Sequence, residues 1–135
     1  MLIRHLKGRK ARRGVALAET ACVFLLFIPL LMGTVVVGLG VFRYHQVNHL
    51  AGEAARWASV RGETYQQEQN QPAPTNAAVL DFVKDRMVGL DADALSAELT
   101  MTSGRATVTL RYQWTPEALI RPIEFVSTAS APITY

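Results

Sequence analysis

"GVALAETACVFLLFIPLLMGTVVVGLGVF", residues 14–42, is the stretch whose reading decides the architecture. From Thr20 to Phe42 it runs for 23 residues without a charged side chain. Wound as an α-helix at about 1.5 Å per residue, that run is roughly 34 Å long, enough to cross a bilayer core of about 30 Å. The stretch therefore predicts a transmembrane helix. It also places a carboxylate, Glu19, directly ahead of the uncharged run.

The charges outside this stretch orient it. Residues 1–14 hold Arg4, Lys7, Arg9, Lys10, Arg12 and Arg13 and no acid. The whole 135-residue chain has a formal charge of +3, and without those six cations it has 8 basic against 11 acidic side chains, a formal −3. The basic character thus belongs to the leader, and a nucleic-acid partner, which needs a basic face on a folded domain, is not expected. Cytoplasmic segments carry the excess of Lys and Arg, so the leader is expected inside and everything after Phe42 outside. After the apolar run only Arg43 is immediately basic, in agreement.

The run is too long for a cleaved secretory signal, whose apolar core has about 7 to 15 residues before a small-residue site. Here Arg43, Tyr44 and His45 follow instead, so the helix is expected to be retained. Cys22 lies within it, is the sole cysteine and has no intramolecular disulfide partner. A lipoprotein site is not expected there, since Glu19 occupies the position three residues before the cysteine and the apolar run follows rather than precedes it.

Gly14-Val15-Ala16-Leu17-Ala18-Glu19, preceded by Arg12-Arg13 and followed by the long apolar run, resembles the processing site of type IV prepilins and of the prepilin-like proteins of tight-adherence pili. "QVNHLAGEAARWASVRG", 46–62, resembles the Ala- and Arg-rich helix that follows the span in TadE-like pilus assembly proteins. "ATVTLRYQWTP", 106–116, and "FVSTASAPITY", 125–135, are similar to the strand pair that ends those proteins. The resemblance implies cleavage after Gly14 by a prepilin peptidase on the cytoplasmic face, which makes Val15 the first mature residue and Glu19 the fifth.

Cleavage after Gly14 gives Glu19 a partner, the new Val15 ammonium. A carboxylate near the edge of a bilayer costs less than one at its centre, where insertion scales give about 2.5 to 3.5 kcal/mol for an aspartate, and a cationic partner lowers the cost further. Val15 and Glu19 stand four residues apart, about one helical turn, so the pair can form within one chain. In an array of helices Glu19 can instead neutralise a neighbour's amine and set the axial register, as the resemblance implies. The remaining alternative is a glutamate that reaches up into the headgroups.

Within the span, Gly33, Gly38 and Gly40 together with Ala16, Ala18 and Ala21 are small residues of the kind that let membrane helices approach. Pro29 removes one backbone hydrogen bond and is expected to bend the helix near its middle.

Beyond the membrane the helix is expected to continue to residue 60. Val47, Leu50, Ala51, Ala54, Trp57 and Ala58 recur at spacings of three and four, a stripe suited to receive a sheet. His45, His49 and Glu53 fall at i, i+4 and i+8, but no Glu follows His45 as in the zinc-protease pattern, and no second ligand cluster joins them. A solvated polar face is expected there rather than a metal site. "GETYQQEQNQPAPT", 62–75, is polar and ends in two prolines, so it reads as a linker. Thr75 or Asn76 then caps a second helix, with Val79, Leu80, Phe82, Val83 and Met87 on one face and Gly89 at its end.

Strands follow, first around Ala97 to Thr102 and then, most plainly, over Arg105 to Thr115. There Ala106, Val108, Leu110, Tyr112 and Trp114 alternate with Thr107, Thr109, Arg111 and Gln113. Ser103-Gly104 fits a hairpin connection, and Phe125 to Thr134 fits an edge strand with Pro132 near its end. About 75 residues of this kind make a marginal core alone, so packing against the first helix is expected.

The expected fold is therefore α+β and pilin-like: a basic cytoplasmic leader at 1–14, a transmembrane helix at 15–42, its extracytoplasmic continuation at 43–60, a polar linker at 61–75, and a second helix with two or three antiparallel strands at 76–135. No phosphate-binding glycine loop, nucleophile elbow or metal cluster is legible, so neither an enzyme nor a cofactor is expected. The resemblance implies a minor pilin or pseudopilin of a Tad (Flp-type) type IV pilus in a bacterial inner membrane, with its C-terminal part periplasmic and incorporation into the pilus possible. Its implied partners are the prepilin peptidase, other pilin or pseudopilin subunits, the inner-membrane assembly platform and the lipid bilayer. The alternative is an uncleaved single-pass scaffold of a pilus or secretion machine.

Overall fold

The computed structural model describes residues 7–70, 72–102, 104–116 and 121–133, with only the backbone described at 7–13 and 63–64. Residues 1–6 of the expected leader, Ser103 of the expected hairpin connection and Thr134 at the expected end of the last strand lie outside the described residues. The chain divides into two units, Met1–Leu39 and Gly40–Tyr135. Helix α1 is Lys7–Ser59, with Pro29 inside it; α2 is Glu63–Gln69 and α3 is Asn76–Lys84. Strands β1 (Leu95–Thr102), β2 (Arg105–Trp114) and β3 (Ile123–Pro132) form one antiparallel sheet in the order β1-β2-β3.

Among its described side chains the first unit has no core of its own. Every side chain from Gly14 to Leu39 is exposed apart from the half-buried Val36. The apolar run is thus an uncovered surface, as a lipid-facing or helix-facing segment must be. Within it, Thr20 and Thr34 donate their hydroxyls to the carbonyls of Ala16 (2.8 Å) and Leu30 (2.9 Å), one turn back. That bond satisfies the hydroxyl hydrogen inside the helix, so neither threonine presents an unmet donor to an apolar surround.

In the second unit the expected stripe does bury. Val47, Leu50, Ala51, Ala54, Ala55 and Ala58 are all in the core. Alanines dominate this face. From β2, alternation sends Ala106, Val108, Leu110, Tyr112 and Trp114 inward, and Val79 and Val83 of α3 complete the core with Leu95 and Ala131. Trp57, expected within the stripe, sits at its margin: its ring packs on Phe82 at 5.1 Å, and the Arg61 guanidinium lies 4.1 Å from its centroid.

Two elements differ from the sequence reading. The polar linker contains α2, a helix with no apolar face. Glu and Gln are good helix formers, the Gln66 backbone N–H donates to Gly62 O at 3.2 Å, and Asn70 ends the helix in the left-handed conformation at φ 49°. Helix α3 stops at Lys84, not at Gly89. The backbone continues in a tight turn in which Arg86 N–H and Met87 N–H both donate to Val83 O, and Gly89 at φ 70° redirects the chain toward β1. At its start Thr75 is the cap, its hydroxyl accepting from Ala78 N–H at 3.3 Å.

Register follows the inward alternation. Thr102 pairs Arg105 across the two-residue connection, where Gly104 at φ 84° supplies the left-handed position, and Trp114 pairs Ile123 at the opposite end of the sheet. Both outer strands are edges. Pro132 closes β3, where its missing N–H costs no ladder bond.

Candidate functional site

The candidate residues of the first unit are Gly14, Val15, Glu19 and Pro29, all on the exposed surface of α1. Val15 and Glu19 are one turn apart on the same face, as their spacing requires. Glu19 is the sole charged residue between Gly14 and Phe42. The two ion pairs among the described residues are His49 with Glu53 (3.8 Å) and Arg111 with Glu124 (3.7 Å), and Glu19 is in neither. An added Cβ on Gly14, Gly33 or Gly38 would meet nothing within 4 Å, so these glycines leave smooth surface rather than filling a contact within the chain.

The second unit carries no recognisable reaction centre among its described residues. His45, His49 and Glu53 do not converge. His49 approaches Glu53, whereas the His45 ring sits edge-on to Tyr44 at 6.0 Å, and no group of three or more potential metal ligands occurs among the described residues.

What the second unit does contain is a node that the sequence reading missed. The Tyr112 hydroxyl accepts from the Arg43 guanidinium at 3.4 Å and from the Asp91 backbone N–H at 3.3 Å. The Arg43 guanidinium also lies over the Trp114 ring, 4.8 Å from its centroid. Phe125 stacks on both Tyr112 and Trp114, with Tyr44 edge-on to it at 6.1 Å. An open depression of about 570 Å³, lined by Arg43, Asp91, Tyr112 and Gln113 among others, adjoins this cluster.

The span, its isolated carboxylate and the alanine-rich continuation together are the features by which the chain can be compared with others. Residues 14–56 match the family described as TadE-like protein. The matched segment begins at Gly14, takes in Glu19 and the apolar run, and ends at Arg56 inside the buried stripe of α1. It covers about a third of the chain, and the sheet lies beyond it. No curated protein and no solved structure gives a significant match. Over that segment the chain is similar to TadE-like proteins. The apolar helix is exposed along this run and is long and apolar enough to cross a membrane.

Proposed function

We propose that this chain is a minor pilin or pseudopilin required to assemble a Tad (Flp-type) type IV pilus. It inserts with the basic leader in the cytoplasm of a bacterial inner membrane, is cut after Gly14 by a prepilin peptidase, and engages other subunits and the membrane assembly platform through α1. The observation that carries this reading is Glu19: one carboxylate in the otherwise uncharged, exposed stretch of α1 from Gly14 to Leu39, five residues past the start of a TadE-like match at Gly14. An unpaired charge at the edge of an apolar medium is costly, and the Val15 ammonium released by cleavage is the nearest group able to neutralise it. When that amine belongs to a neighbouring subunit, the pair fixes how the two helices sit along their axes. Pro29 gives such a helix a weak point in its ladder for leaving the bilayer.

The test is the mass and N-terminal residue of the protein from its native membrane, followed by Glu19→Gln. A chain starting at Val15, and loss of pili in Glu19→Gln with membrane insertion intact, are the expected results. A chain starting at Met1 that supports pili equally well with Glu19→Gln would instead make it an uncleaved scaffold.

A further inference from the structure

The last residues of the apolar run belong to the folded unit itself, since that unit begins at Gly40. Trp114 at the end of β2 lies directly on Gly40: a Cβ added there would come within 2.9 Å of Trp114 Cζ3. Ile123, the first residue of β3, pairs with Trp114, and Phe125 is tied to Tyr44. One end of the sheet therefore stands beside helix residues 40–44, where the uncharged run stops and the first cation appears. Around this end the unit exposes large apolar side chains: Phe42 at 55%, Tyr44 at 44% and Ile123 at 36% relative accessibility. Its charges are mixed: Arg43 and Asp91 line one depression, and Arg121 and Glu124 lie on either side of Ile123 along the chain. Aromatic rings and arginine at the end of a membrane helix are the composition of the water–bilayer interface.

We infer that this end of the sheet is a membrane-seating face, in which Phe42, Tyr44 and Ile123 enter the phospholipid headgroup layer and Arg43, braced by Trp114 and Tyr112, lies at phosphate level. The inference rests on the reading of α1 as a membrane span. Because charges of both signs flank the face, its partner is a phospholipid surface as such, and anionic lipid is not required. The seat fixes the folded unit against the membrane while α1 is anchored there, so that subunit extraction must break this contact too.

Depth measurement on the full chain in phosphatidylcholine vesicles tests it, using one nitroxide label at a time. Native Cys22 supplies the first position, and Ile123→Cys and Val60→Cys, each with Cys22→Ser, supply the others. Val60 follows the end of α1, about 30 Å along the axis from Gly40 at 1.5 Å per residue, and is exposed. The label at 22 is expected to collide with oxygen and to be shielded from a water-soluble nickel chelate. The label at 123 is expected at headgroup depth, with clearly fewer chelate collisions than the label at 60. A label at 123 as open to the chelate as the label at 60, with position 22 still shielded, overturns the seat and leaves the span standing. A chelate-accessible label at 22 overturns the span itself. Dipolar broadening between labels at 123 would mean that a second copy covers the face, and would also overturn the seat.

Discussion

The two units of this chain solve opposite problems with the same apolar vocabulary. From Gly14 to Leu39 the side chains are Leu, Val, Phe, Ile, Ala and Gly with almost nothing covering them. From Gly40 onward the same residue types are held at wider intervals by polar ones and disappear into a core. The difference lies in the period. A continuous apolar run leaves no polar face for water, so the helix can be satisfied only by lipid or by other helices. A stripe at spacings of three and four leaves one, so the helix can be satisfied by its own sheet. A single helix, α1, contains both patterns, and its anchoring and folding roles are therefore separable by mutation.

The largest expected effect breaks one pattern and spares the other. Leu110 is fully buried in β2, and Leu110→Ala removes several methylene equivalents from a tightly packed site. Such a change costs about 2 to 5 kcal/mol, a large share of the stability of a small unit. Leu25, three-quarters exposed in the span, has no core contact to lose. Thermal melting of the full chain in detergent, followed through the near-ultraviolet signal of its tryptophans and tyrosines, should drop sharply for Leu110→Ala and stay unchanged for Leu25→Ala. Equal drops would mean that the span contributes to the folded core after all.

A smaller effect locates the boundary between the patterns. Gly38 and Gly40 are two residues apart in one apolar run, and composition does not distinguish them. Gly38 meets nothing, whereas Gly40 is covered by Trp114, whose ring is itself clamped between Phe125 and the Arg43 guanidinium. Gly40→Val forces that clamp apart and should cost about 1 to 3 kcal/mol, as overpacking does. Gly38→Val should leave the melting transition where it is. Coincident transitions for the two variants would move the boundary of the folded unit away from residue 40.

What the sequence made legible follows the same division. The long apolar helix was readable from 23 uncharged residues, and β2 from five inward residues at strict alternation, because both signals lie within one segment. The edge strand was readable from Pro132, and local side-chain chemistry narrowed the cap to Thr75 or Asn76, of which Thr75 is the one used. Helix α2 was not, since "ETYQQEQ" has no apolar face and forms on propensity, a left-handed Asn70 and the contacts of Tyr65 and Gln66 with Arg61. The early end of α3 was missed because Gly89 looked like its stop, whereas the chain leaves the helix at Asp85 and needs Gly89 only for the next turn. The Arg43–Tyr112–Asp91 node joins residues 69 and 21 positions apart, and no local pattern encodes such a meeting. Of the candidate site, Glu19 was legible as the exception within an uncharged surface. The seating face was not, because its members come from three separate segments.

The smallest expected effect concerns the outward face of the sheet. Arg111 and Glu124 approach to 3.7 Å with about half of each side chain in water, and Thr109 and Thr128 share a hydrogen bond at 3.1 Å nearby. A half-exposed ion pair gains little Coulomb energy in high dielectric and loses side-chain freedom, so it is worth about 0 to 1 kcal/mol. Arg111→Gln should therefore shift the melting transition barely, and less still in high salt, even though Arg111 sits between the fully buried Leu110 and Tyr112 in the same strand. A loss as large as that of Leu110→Ala would require this polar face to be covered in the protein as assembled. The outward side of β2 would then follow the rule of the span, with its surface satisfied by another subunit rather than by water.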